Sequence, residues 1–197
     1  MNKILLTFPL LIFSLNMYAQ EKITWQEDYQ IQPAYFQAIT PKKRIEGSQR
    51  FYMASIVDFN YAMNAYQFAF KKNFNSYVTA LFYPASSWLE EGEHTQELMQ
   101  LAQVFFDVTE LHARRFRKRL YEAKNLGSGS NFYKEAYDEM MKEYTKDQAT
   151  LNAELTMDNI AEVCAKWQEK VRAELDVLSE YCKECKPKKR KKKKKNQ

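Results

Sequence analysis

The stretch from residue 93 to residue 125 constrains the fold most strongly. It contains no proline or glycine, and its apolar side chains recur every three or four residues, which is the spacing of one face of an α-helix. This stripe consists of Leu98, Leu101, Phe105, Val108, His112 and Phe116. At 1.5 Å per residue the stretch would form a helix about 50 Å long. We therefore predict a long central helix around which the rest of the chain packs.

The same spacing predicts three more long helices. Between residues 48 and 73 the apolar positions alternate steps of four and three, as in a seam that packs against a partner helix. These positions are Tyr52, Ile56, Phe59, Met63, Tyr66 and Phe70. The segments 131–155 and 158–184 keep the same rhythm. The sequence thus predicts an all-α antiparallel bundle of about four long helices, with an aromatic N-terminal segment packed alongside.

Residues 74–92 leave the choice between helix and strand open. Ser76 to Tyr83 is apolar and partly β-branched, but a single strand has no obvious partner in an all-α bundle. A short helix or an irregular wrap is therefore favoured. The spacing of Thr24 to Glu27 and of Ser87 to Glu90 is that of a capping box, which predicts a helical turn after each.

The N-terminal residues have the layout of a secretory signal peptide. Lys3 precedes an apolar run from Ile4 to Leu15, and Ala19 is a suitable last residue before cleavage. An uncleaved N-terminal anchor is the alternative. We predict a signal peptide at 1–19, a helical domain at 20–184 and a disordered Lys-rich tail at 185–197. The protein is then expected in the periplasm, on the outer envelope surface or outside the cell.

Positive charge is concentrated at the C-terminus. Residues 183–197 hold ten Lys or Arg and one Glu, a net +9 in a chain of +5, so that residues 4–182 sum to −5. Such a run binds polyanions by counterion release. The predicted anion-binding residues are Lys186, Lys188, Lys189, Arg190, Lys191, Lys192, Lys193, Lys194 and Lys195. Lipid head groups, lipopolysaccharide or acidic glycans of an envelope surface are favoured over nucleic acid. A solubilising tail without a partner is the alternative.

A weaker candidate for anion binding lies on the central helix. Five cations occur within six residues there: Arg114, Arg115, Arg117, Lys118 and Arg119. Cations near a helix C-terminus complement the helix dipole, and acidic residues are available for pairing. The expected partners are Glu122, Glu135, Asp138, Glu139 and Glu143. Structural pairing is therefore favoured over an anion site.

Cys182 and Cys185 form a Cys-x-x-Cys motif at the end of the last predicted helix. The motif lacks the following histidine of c-type haem attachment and a second cysteine pair for zinc. At a helix C-terminus the dipole opposes formation of a thiolate, so a structural disulfide is favoured over a redox pair. Cys164 lies on the apolar stripe of the same helix and is predicted to be a buried free thiol, with a role in dimerisation as the alternative.

No constellation of catalytic or metal-binding residues is recognisable. Glu91 and His94 have the Glu-x-x-His spacing of dimetal bundles, but the required second pair is missing. We therefore predict no metal, no cofactor and no enzymatic activity. The leading hypothesis is an exported binding or scaffold module that contacts a protein partner or itself, with the tail holding it on an anionic surface. The alternatives are an envelope holdase-type chaperone and a thiol redox protein that uses Cys182 and Cys185.

Overall fold

The computed structural model describes residues 22–41 and 50–188. Within these ranges the chain forms four α-helices and two antiparallel β-sheets, so the all-α prediction is wrong and the fold is mixed. In chain order the elements are β1 (Ile23–Thr24), β2 (Phe51–Tyr52), β3 (Ser55–Phe59), α1 (Ala65–Phe70), β4 (Val78–Phe82), β5 (Trp88–Leu89), α2 (Thr95–Ala123), α3 (Lys134–Glu154) and α4 (Ile160–Val177). The predicted signal peptide and residues 189–197 of the predicted tail lie outside the described residues.

Helix α2 is the centre of the molecule, as predicted. It contacts strands β3 and β4 as well as helices α3 and α4, and its side chains are buried from Leu98 to Leu120 on several faces. Helices α3 and α4 also lie where the apolar spacing predicts them. Helix α4 ends earlier than predicted, at Val177, and the 3-10 turn Ser179–Tyr181 follows it. None of the helices in the described ranges has both the length and the apolar character needed to cross a membrane.

A three-stranded sheet covers one side of α2. Its strand order is β1-β4-β3, and β3 pairs with β4 from Ser55 opposite Phe82 to Phe59 opposite Val78. Strands β2 and β5 form a second, two-stranded sheet. Side chains alternate between the two faces of a strand, and Val57, Val78, Ala80 and Phe82 belong to the same core cluster as the apolar side chains of α2. Val57 and Phe82 are buried in this way, whereas Ile56 on the other face is 42% exposed.

The predicted helix at 48–73 is therefore wrong. The residues buried there are Phe51, Ser55 and Val57, and Ser55 and Val57 follow the period of two of a strand. The supposed seam residues Tyr66 and Phe70 lie on the short helix α1, where they are mostly exposed. The local spacing of apolar residues fits both the period of a helix and the period of a strand. Tertiary pairing with β4 therefore decides the structure of this segment.

The segment 74–92 contains the strand that the sequence left without a partner. Strand β4 pairs with β3 on one side and with β1 on the other, so it is the middle strand of its sheet. Both predicted capping boxes are also wrong. Thr24 belongs to β1, and the hydroxyl of Ser87 donates to the carbonyl of Tyr83 while it accepts from the N–H of Ala54.

Candidate functional site

Two of the five cations on α2 are buried inside the protein. Arg117 and Arg114 are 0% and 6% exposed, and both contact Glu110, which is 3% exposed. Nη1 of Arg117 lies 2.7 Å from Oε1 of Glu110, and Nε of Arg114 lies 3.0 Å from the same oxygen. All three side chains lie on one face of α2, because four and seven residues separate them. One carboxylate therefore serves two buried guanidinium groups.

These two guanidinium groups also tie α2 to the sheet and to the end of α4. Nη2 and Nε of Arg117 donate to the carbonyl of Val78, at 2.8 Å and 3.2 Å, and its Nη1 donates to the carbonyl of Tyr181 at 3.0 Å. Nη1 of Arg114 donates to the carbonyl of Leu175 at 2.9 Å. Charged donors thus satisfy backbone carbonyls that come from distant parts of the chain. The two arginines are structural, because the contacts described here join groups inside the fold.

Arg115 connects the two helices that flank α2. Its Nη1 lies 3.4 Å from Oδ2 of Asp147 on α3, and its Nη2 contacts the carboxylate of Glu174 on α4. Neither acid is among the partners that the sequence predicts. The pairing nevertheless follows the favoured interpretation, in which the cluster is neutralised within the fold.

Arg119 and Lys118 complete the cluster. Nη2 of Arg119 lies 2.5 Å from Oε1 of Glu143, and its Nε lies 3.7 Å from Oε2 of Glu139, two of the partners predicted on α3. Lys118 forms no salt bridge with any residue that the structure describes. Four of the five cations therefore contact carboxylates within residues 4–182, which we call the body.

A wide groove of about 560 Å³ lies between α3 and α4 over the second half of α2. Its charged lining consists of Arg115, Lys118, Arg119, Glu122, Glu143 and Glu174. Cations and carboxylates are present in equal number, so the net attraction for a polyanion is small. The groove gives no reason to place polyanion binding on this face.

The first cations of the predicted tail are accessible to solvent. Lys186 and Lys188 are both exposed, and Nζ of Lys188 lies 3.5 Å from Oε1 of Glu180 in a pair that water screens. The other cations predicted to bind anions lie outside the described residues: Lys189, Arg190, Lys191, Lys192, Lys193, Lys194 and Lys195.

Cys182 and Cys185 are joined by a disulfide bond just after the last 3-10 turn. The buried side chain of Asn75 donates to the carbonyls of Cys182 and Cys185, at 3.1 Å and 3.0 Å. The amide of Asn73 also donates to the carbonyl of Cys185, at 3.1 Å. The disulfide loop is thus attached to the segment before β4, which suits a structural clip. Cys164 is buried as predicted, and burial raises the pKa of its thiol to about 11.

His112 is buried between α2 and α3. Its Nε2 lies 3.0 Å from Oδ2 of Asp147, and its Nδ1 has no hydrogen-bond partner among the described residues. Burial and then the charge of Arg115 lower the pKa of His112 below 6.5, more than its hydrogen bond to Asp147 and the charges of Asp147 and Glu143 raise it. The fold therefore accepts the neutral imidazole in preference to the imidazolium.

Mild acidification should destabilise the protein through His112. Because the pKa of His112 is lower in the folded chain than in the unfolded chain, the unfolded chain binds the extra proton as the pH falls below about 6.5. The free energy of unfolding should therefore fall between about pH 7 and about pH 5. Urea denaturation across this range measures the effect, and the slope should be smaller in His112→Gln. An equal slope in the variant would contradict the assignment.

A second cavity, of about 400 Å³, lies where the segment after β1 meets α2 and α4. We call it the polar cleft, and it is lined by Trp25, Glu27, Asp28, Gln30, Gln103, Asp107, Arg114, Gln168, Arg172, Leu175 and Asp176. No site is predicted here from the sequence, because these residues come from three segments that lie far apart in the chain. The only local signal is a tryptophan followed closely by acidic and amide side chains.

Asp107 lies in the wall of the polar cleft and is held by neutral donors. Nε1 of Trp25 donates to its Oδ1 at 2.8 Å, and Nε2 of Gln103 donates to the same oxygen at 3.0 Å. Oε1 of Gln103 accepts in turn from the N–H of Ile31 at 3.1 Å. Burial raises the pKa of Asp107 above its usual value, more than these hydrogen bonds and the charge of Arg172 lower it. Partly desolvated carboxylates in clefts are typical of functional positions.

No protein-family model matches the chain, and neither curated proteins nor solved structures provide a match. Among the residues that the structure describes, no group of three or more His, Cys, Asp or Glu side chains is placed to hold a metal ion.

Proposed function

We propose that this protein is an exported, non-enzymatic binding or scaffold module that its basic C-terminal residues hold on an anionic surface. The proposal rests on the pairing of the cations on α2, which leaves the C-terminal cations as the better candidates for binding an anionic surface. Four of these five cations contact carboxylates of the body, and the fifth, Lys118, lines a groove with equal numbers of cations and carboxylates. The other concentration of positive charge is at residues 183–197, which carry +9.

The charge distribution also favours one orientation on the surface. Residues 4–182 sum to −5, so an anionic surface repels the body and attracts the C-terminal residues. Phosphates of lipid head groups or lipopolysaccharide, and the acidic groups of glycans, supply the required charge. Export is supported by the signal-peptide pattern of residues 1–19 and by the Cys182–Cys185 disulfide, since disulfides persist in oxidising compartments.

Exposed aromatic side chains support a protein partner or a second copy of the chain. Tyr66 and Phe70 of α1 are 75% and 66% exposed, and their ring centroids lie 4.9 Å apart. Adjacent exposed aromatics are frequent at protein interfaces. They would also serve a holdase-type chaperone, which should suppress aggregation of several unrelated clients, whereas a scaffold should retain one partner. A redox role for Cys182 and Cys185 is less supported, because Asn75 and Asn73 fix the disulfide loop.

Binding to phospholipid vesicles tests the surface anchor. The full chain should sediment with vesicles that contain phosphatidylglycerol and stay in solution with pure phosphatidylcholine. A variant that lacks residues 189–197 should lose most of this retention, because seven cations are removed. The matched control is Arg115→Gln/Lys118→Gln/Arg119→Gln, which removes cations from α2 and should still sediment. Equal retention of the truncated and full chains would overturn the proposal.

A further inference from the structure

The polar cleft has the size of a ligand site and an unusual mixture of polar groups. Its volume of about 400 Å³ falls within the range of about 300–1,000 Å³ that is common for small-molecule sites. Four carboxylates, three glutamine amides and two guanidinium groups line it together with only two side chains of apolar character, Trp25 and Leu175. Among the basic C-terminal residues that the structure describes, none lines the cleft, and the inference below does not rest on the anchoring proposed above.

The mixture of groups excludes most ligand classes. An inorganic anion would face four carboxylates, and an apolar ligand would desolvate polar groups without replacing their hydrogen bonds. A simple cation would leave Arg172 and the amides without a role. Carboxylates only accept hydrogen bonds, guanidinium groups only donate them, and amides do both. A sugar hydroxyl also donates and accepts hydrogen bonds. Neighbouring hydroxyls of one sugar ring can therefore bind the carboxylates, the guanidinium groups and the amides of the cleft.

Three side chains of the cleft are oriented before any ligand arrives. Trp25 and Gln103 both donate to Oδ1 of Asp107, so its second oxygen can accept from a ligand hydroxyl. The guanidinium carbon of Arg114 lies 5.4 Å from the centroid of the Trp25 ring and fixes its plane from one side. Preorganised groups of this kind lose little conformational entropy on binding. An aromatic ring beside them also offers an apolar surface to the C–H groups of a sugar.

We propose that the polar cleft binds a neutral carbohydrate of one or two rings, with Asp107 and Arg172 as hydrogen-bonding residues and Trp25 as the packing surface. Packing does not explain a carboxylate at position 107. Burial disfavours its charged form, and asparagine has the same shape and could accept the same two hydrogen bonds. A partly buried carboxylate that lines a cavity is typical of a binding role.

A printed glycan array probed with the full chain tests the inference, followed by titration calorimetry with lactose, cellobiose and N,N′-diacetylchitobiose. Neutral glycans should be retained on the array, and at least one of the three disaccharides should bind. Asp107→Asn and Arg172→Gln should each weaken that binding by about tenfold or more, because each removes a charge-assisted hydrogen bond. Glu169→Gln, an exposed position on α4 outside the cleft, is the matched control and should bind as the unaltered chain does.

The melting temperature separates a binding role from a structural one. Asp107→Asn should melt at the same temperature as the unaltered chain or higher, since a disfavoured buried charge is removed. A clear fall in melting temperature with glycan binding intact would show that Asp107 is structural and would overturn the inference. Retention of no neutral glycan on the array would also overturn it, as would binding of putrescine or inorganic phosphate in the cleft in preference to the disaccharides.

Discussion

Replacing Glu110 with glutamine should lower the free energy of unfolding by about 3–5 kcal/mol. The substitution keeps the shape of the side chain but removes the carboxylate that Arg114 and Arg117 share. These arginines are only 6% and 0% exposed, so water cannot replace the lost partner. A guanidinium group cannot lose its proton under ordinary conditions, so the cost of burying two charges remains while their attraction to Glu110 disappears. Urea denaturation followed by circular dichroism measures the change.

A more exposed pair provides the matched control. Glu143→Gln makes the same chemical change opposite Arg119, but the side chain of Glu143 is 42% exposed. Water and salt already weaken that pair, so its removal should cost less than about 1 kcal/mol. Equal destabilisation by the two substitutions would contradict the assignment of Glu110 as the buried centre of the network.

The arginines do more than balance the charge of Glu110. Arg117 also donates to the carbonyls of Val78 and Tyr181, which an apolar replacement cannot do. The double variant Glu110→Leu/Arg117→Met removes one charge of each sign, but it leaves these carbonyls without their donor and the buried Arg114 without its carboxylate. It should therefore remain less stable than the unaltered chain, by about 1–3 kcal/mol for each buried group left unsatisfied. The network thus acts as a cross-link between α2, the sheet and the segment after α4.

The second half of the fold could be predicted from sequence because its signals are local. Long segments with unbroken spacing predict α2, α3 and α4. The first half depends on pairing between distant segments. Ser55 to Phe59 becomes a strand because residues 78–82 lie beside it, and those residues gain this partner only if 55–59 is a strand. Each assignment needs the other.

The buried network around Glu110 and the polar cleft could not be predicted from the sequence, for a similar reason. Glu110 stands four residues before Arg114, an ordinary spacing for an exposed ion pair on a helix. It is buried because strand β4 and the segment around Tyr181 cover that face of α2, and neither is implied by the helix itself. Trp25 and Asp107 of the polar cleft lie 82 residues apart, so no spacing rule joins them. Chemistry that is assembled by tertiary contacts is visible only in the fold.

Heparin binding should become much less sensitive to salt when residues 189–197 are removed. The deletion takes away Lys189, Arg190 and the five lysines that follow, seven cations in all. Each cation that pairs with a charge of the polyanion releases about one counterion, so the slope of log affinity against log salt should become smaller by about one unit for each such pair that the deletion abolishes. The described contacts of the body all remain, including the pair of Lys188 with Glu180, and the melting temperature should not change.

A variant of the cluster on α2 distinguishes loss of the C-terminal anchor from a simple reduction of positive charge. Arg115→Gln/Lys118→Gln/Arg119→Gln removes three cations, but two of them already contact carboxylates of α3 and α4. Ions that are paired within the protein release few counterions from a polyanion, so the slope should change by about one unit or less. If this variant flattened the salt dependence more than the deletion did, the polyanion would bind α2, and the C-terminal residues would not be the anchor.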